Sequence, residues 1–195
     1  MDRTIKNTDS LPVRFRKTVE AKDFPTNPDY NEDFSRAYHE AGHLYFHLFF
    51  DIWFEYVTLI KDGNSEAAVH HQGFEYMEDS GWFLLNGEQQ ARTFKIMSLA
   101  GLIAEAKYSS EYKWRTANND INEMYSLFQD GGGKAQEIWD HAVSEIETNW
   151  ESIVDLATII NDNPIKITRN ELLTYPEVQT IIKKGVREHP PIVKP

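Results

Sequence analysis

Apolar residues recur at three- and four-residue intervals over residues 34–50, which predicts an amphipathic helix there, capped by Asp29, Asn31 or Asp33. The greasiest run, 44–60, contains His47, Asp51 and Glu55, so it reads as a buried helix followed by a strand and not as a membrane span. Residues 53–60 are rich in β-formers. Lys61-Asp62-Gly63-Asn64 has turn chemistry, and a second strand pattern over 67–76 completes a predicted hairpin. Residues 77–87, broken by Gly81 and Gly87, read as a loop. A helix is predicted over 88–108, with Phe94, Met97, Leu99, Leu102, Ile103 and Ala106 on a wide apolar stripe, and another over 119–128. Asp130-Gly131-Gly132-Gly133 breaks the chain. A long helix over 134–160 follows, with Ile138, Ala142, Ile146, Ile153, Leu156 and Ile160 at core spacing, and 161–164 ends it. Thr168 with Glu171 forms a capping-box pattern that opens a short final helix. The expected organisation is an extended arm at 1–32, punctuated by Pro12, Pro25 and Pro28, one domain at 33–175, and a short helix with a loose tail at 176–195. The fold class is α+β, mostly α-helical, with a small antiparallel sheet.

Composition narrows the partners. At 195 residues and 41% hydrophobic, the chain can build one sizeable core. A net charge of −11 repels phosphate backbones and anionic lipid surfaces, so nucleic acid is not an expected partner. With no cysteine, disulfides, thiolate nucleophiles and Cys-ligated metals are excluded, and a reducing compartment fits. Residues 1–9 are polar and lack the apolar stretch of an export signal. A soluble cytoplasmic protein is expected.

The chemistry lies in His39-Glu40-Ala41-Gly42-His43, an H-E-x-x-H run inside a helix pattern. Residues four apart on a helix share one face, so both imidazoles reach one cation, which points to zinc. Glu40, beside the first histidine, is placed to take a proton from water that the metal acidifies. His47, one turn on, reads as a core residue because a third zinc ligand usually comes from another element. Two downstream acids stand out for that role. Glu105 lies in an apolar helix, and Asp120 lies at a helix start where the helix dipole alone would also favour a carboxylate. Spacing does not choose between them. In a strand His70 and His71 point to opposite faces, so at most one of them faces a site, where it would polarise a substrate carbonyl; otherwise both are surface histidines. Trp53, Phe54, Trp82 and Phe83 read as packing or partner contacts, and Glu75, Glu78 and Asp79 as a solvated face.

Ala37-Tyr38-His39-Glu40-Ala41-Gly42-His43 resembles the metal-binding helix of the FtsH-type zinc metallopeptidases, which are ATP-dependent AAA+ proteases. Val57-Thr58-Leu59-Ile60 is similar to the strand after that helix. Ala100-Gly101-Leu102-Ile103-Ala104-Glu105 is similar to the family's Gly-Arg-Ala-Ala-Glu-Glu helix, and Ala117-Asn118-Asn119-Asp120-Ile121 to its Ala-Ser-Asn-Asp-Leu segment. The likeness runs in order over residues 33–175. It implies a zincin-like fold with a C-terminal helical bundle. It also implies Zn²⁺ on His39, His43 and Asp120, with Glu40 as general base. The activity implied is hydrolysis of peptides or unfolded protein segments.

The departures have consequences. Leu102 and Ala106 replace the Arg and second Glu of the small-residue helix, and Lys61-Asp62-Gly63-Asn64 stands where the family has Pro-Arg-Gly. No P-loop is present, since Gly131-Gly132-Gly133-Lys134 is followed by Ala135 and has Phe128 at the first glycine position. The expectation is therefore a peptidase domain that works without its own ATPase. A separate ATPase partner and a homo-oligomer stay open. The alternative is a zinc-stabilised interaction module descended from a peptidase, and a third reading is another H-E-x-x-H hydrolase with Glu105 as ligand.

Overall fold

The computed structural model describes residues 24, 26–60, 68–70, 87–112, 120 and 133–188. In chain order the elements are helix α1 (Glu32–Phe49), strands β1 (Tyr56–Thr58) and β2 (Ala68–His70), helices α2 (Gly87–Ser109), α3 (Gly133–Thr148) and α4 (Trp150–Asp162), strand β3 (Ile167–Thr168), and helices α5 (Arg169–Leu172) and α6 (Pro176–Glu188). The described chain is mostly helical with a small antiparallel sheet, as its residue pattern predicts.

Helix α1 is the centre of the molecule. Ala37, Tyr38, Ala41, Leu44, Tyr45 and Leu48 are all buried, so apolar residues occupy more than one face of it. A helix apolar on several sides must be covered on several sides. Its largest contact is with α2, followed by α4 and α6, and α2 in turn packs on α3. The α1–α2 approach is close because both helices carry small residues where they meet. A Cβ on Gly42 would collide with the Ala100 carbonyl oxygen and come 3.0 Å from the Ala104 Cβ. Leu99, Ala100, Leu102, Ile103 and Ala104 are completely buried, so this segment of α2 lies in the interior and not along one apolar stripe.

The sheet has the order β2-β1-β3. The predicted hairpin is present in shortened form, with Tyr56 opposite His70, Val57 opposite Val69 and Thr58 opposite Ala68. The third strand was not predicted. It pairs Val57 with Ile167 and Tyr56 with Thr168, and Thr168 is also the N-cap of α5. Two residues are too few to show a periodicity of their own. The capping box does form. The Thr168 hydroxyl accepts from the Glu171 N–H at 3.3 Å, and the Glu171 carboxylate accepts from the Thr168 N–H at 2.8 Å.

The helix expected over 134–160 is divided in two. Asn149 leaves helical geometry at φ −110°, ψ 22°. Its side-chain amide donates to the Glu145 carbonyl oxygen at 2.8 Å, the same oxygen that its backbone N–H reaches at 3.1 Å. Asparagine competes in this way for backbone acceptors and so interrupts helices without any glycine or proline. After Leu173 the chain continues into the thirteen-residue α6, longer than the short helix expected there. The predicted helix over 119–128 lies outside the described residues apart from Asp120, whose backbone is helical.

Candidate metal centre

His39 and His43 are one turn apart on α1, and both rings face α2. Each uses Nδ1 to bond away from the other. His43 Nδ1 lies 2.8 Å from the Met97 carbonyl oxygen. A carbonyl only accepts, so Nδ1 carries a proton and Nε2 is the nitrogen left to face a metal. His39 Nδ1 lies 3.1 Å from Glu105 Oε2, and Glu105 Oε1 accepts from the Ser35 hydroxyl at 2.9 Å. Both Nε2 atoms then point at the same place, 3.2 Å apart. Asp120 closes the group, with Oδ2 3.3 Å from His39 Nε2 and 3.7 Å from His43 Nε2.

These separations suit one small cation. Zinc–ligand bonds of about 2.0–2.1 Å in tetrahedral geometry set neighbouring ligand atoms about 3.3–3.4 Å apart. Two imidazole lone pairs at 3.2 Å repel unless a proton or a metal ion stands between them. The donor set, two imidazole nitrogens and one carboxylate oxygen, suits zinc and other divalent first-row cations. Among the described residues, His39, His43 and Asp120 are the group of metal-ligating side chains that converges.

Burial, the largest influence on both histidines, lowers their basicity. Hydrogen bonds to Asp120 and Glu105, with the Glu40 charge, outweigh it and hold His39 well above the usual histidine range. The Asp120 charge and hydrogen bond raise His43 as well. Burial also pushes the Asp120 carboxyl up, but the two imidazoles hold it well below the usual carboxylate range. Glu40 is 4% exposed. Burial raises its pKa, opposed by His39 and His43 and assisted by Asp120 and Glu105.

Asp120 stands on the Nε2 side of both histidines, whereas Glu105 stands on the Nδ1 side of His39 and cannot share the same ion. His47 is in the core, as expected, with its ring edge-on to Phe54 at 5.8 Å. His70 stacks on Tyr56 at 4.3 Å, with the Lys166 ammonium 4.0 Å from the same ring, and it is not part of the convergent group. Phe54 is a core residue and Trp53 is partly exposed beneath the Arg169 guanidinium. His71, Glu75, Glu78, Asp79, Trp82 and Phe83 lie outside the described residues.

Two further contributors escaped the sequence reading. Ser35 had a signal, since it lies four residues before His39 on the same stripe of α1. The Met97 contact is made by backbone, for which residue identity carries no signal. Comparison of the chain with protein-family models, curated proteins and solved structures returned no match.

Proposed function

We propose that this chain is a zinc-dependent metallopeptidase of the FtsH type, zincin-like in its use of the H-E-x-x-H helix. One observation carries the reading. Two imidazoles have their Nδ1 sides committed to Glu105 and Met97, and they turn their Nε2 atoms onto one carboxylate drawn from a distant part of the chain. Buried histidines placed only for packing have no need of that convergence.

His39, His43 and Asp120 would hold the ion. Zinc bound there supplies a water acidified to a pKa of roughly 7 and a Lewis acid for the substrate carbonyl. Glu40, next to His39 on α1, takes the proton from the attacking water and passes it to the leaving amine. An extended peptide adds as a strand to an edge of the sheet, so that backbone hydrogen bonds hold it without requiring a particular sequence. The substrates are short peptides or unfolded segments.

A mixed fluorogenic peptide library tests the proposal. Cleavage that a chelator abolishes and added zinc restores is the expected result. Stoichiometric zinc without cleavage would favour the interaction module instead. Asp120→Ala should weaken zinc binding on the order of a hundredfold or more, beyond the 10–100-fold typical of losing a residue that only supports a ligand. Titration against a chromophoric chelator reads this directly, and wild-type affinity in the variant would remove Asp120 from the centre.

A further inference from the structure

Resting on the zinc reading above, we propose that Ser35 and Glu105 act as a positioning pair that fixes which nitrogen of His39 is offered to the metal. Glu105 comes from α2 and is 1% exposed, as is Ser35. A carboxylate buried that deeply is costly unless hydrogen bonds satisfy its oxygens. Here the two oxygens are divided. Oε1 takes the Ser35 hydroxyl at 2.9 Å and Oε2 faces His39 Nδ1 at 3.1 Å. Ser35 and His39 are four residues apart, so one stripe of α1 grips both oxygens of a single carboxylate from α2.

Gripped at both ends, the carboxylate cannot turn, and it holds a proton on Nδ1. His39 Nε2 is then the nitrogen turned toward Asp120, and it is the one offered to the ion. The His43 tautomer is set differently, by the Met97 backbone carbonyl, which no substitution of a side chain removes. His39 is therefore the ligand whose orientation depends on side chains, and Ser35 acts on the metal without touching it. Outer partners of metal-bound histidines typically change affinity by about 10–100-fold.

Zinc affinity is measured by competition with a chromophoric chelator in the full chain, for wild type, Ser35→Ala, Glu105→Leu and Glu105→Gln. Glu105→Leu keeps an apolar side chain of similar size but no acceptor, and should bind zinc about 10–100-fold more weakly. Ser35→Ala should lose about tenfold. Glu105→Gln keeps an oxygen for the Nδ1–H and should recover most of the loss. Long-range ¹H–¹⁵N spectra of the zinc-loaded protein add a direct readout. The wild type should show His39 protonated on Nδ1 alone, and Glu105→Leu should lose that fixed signature. Equal zinc affinity in wild type, Ser35→Ala and Glu105→Leu overturns the pair while leaving the zinc site standing. If Glu105→Leu does not fold, unchanged affinity in Ser35→Ala overturns it. A wild type that takes up no zinc brings down the zinc reading and this inference together.

Discussion

Glu40→Gln should leave zinc affinity within about twofold of wild type and lower peptide hydrolysis by roughly 10²–10⁴-fold, the usual contribution of a general base. Glu40 directly follows His39, so its side chain leaves α1 about 100° around the axis from the first ligand, beside the ion and not on it. Its carboxylate experiences the charges of His39, His43, Asp120 and Glu105. Glutamine has the same shape and remains polar, so it fits the same pocket, but it cannot take a proton. Steady-state cleavage of a peptide identified from the library gives the rate, and chelator competition gives the metal affinity. Hydrolysis at the wild-type rate would remove Glu40 from the reaction. A loss of zinc together with activity would make it a ligand or a structural support instead.

Gly101→Ala should abolish tight zinc binding while the helical fold survives. A Cβ at Gly101 would collide with His43 Nε2 and stand 2.9 Å from His39 Nε2, against the two atoms proposed to face the metal. The rings cannot simply retreat, because Met97 and Glu105 hold their Nδ1 sides. Nor can the helices separate freely, since Gly42 already lies against Ala100 and Ala104. The methyl group therefore displaces the imidazoles. Overpacking of this kind costs about 1–3 kcal/mol of stability. A chemical-denaturation curve with a moderately lowered midpoint, alongside loss of stoichiometric zinc, is the expected pair of results. Wild-type zinc affinity in Gly101→Ala would show that the two rings do not lie over this glycine.

Some of this arrangement was legible in the residues and some could not be. His39, Glu40 and His43 were readable because four-residue spacing on a helix is a geometric statement in itself. That Asp120, 77 residues beyond His43, comes to lie beside the histidines was readable only through a resemblance, since helix periodicity says nothing about which distant segment returns to the site. Glu105 stood out as a charge in an apolar run, but only coordinates show that it meets Nδ1 of His39 and not Nε2. The break at Asn149 escaped because it depends on a side-chain amide capturing the Glu145 carbonyl, in a stretch whose apolar spacing continues on both sides. Strand β3 escaped because its two residues are defined by pairing with β1.

The central claim is that His39, His43 and Asp120 share one divalent ion, and a zinc-edge anomalous difference map from crystals grown with stoichiometric zinc tests it most directly. The expected result is one strong peak about 2.0–2.2 Å from His39 Nε2, His43 Nε2 and an Asp120 oxygen, with Glu40 alongside and not bonded to it. A peak held elsewhere, or one bound by the histidines with Asp120 turned away and no other acid in its place, would contradict it.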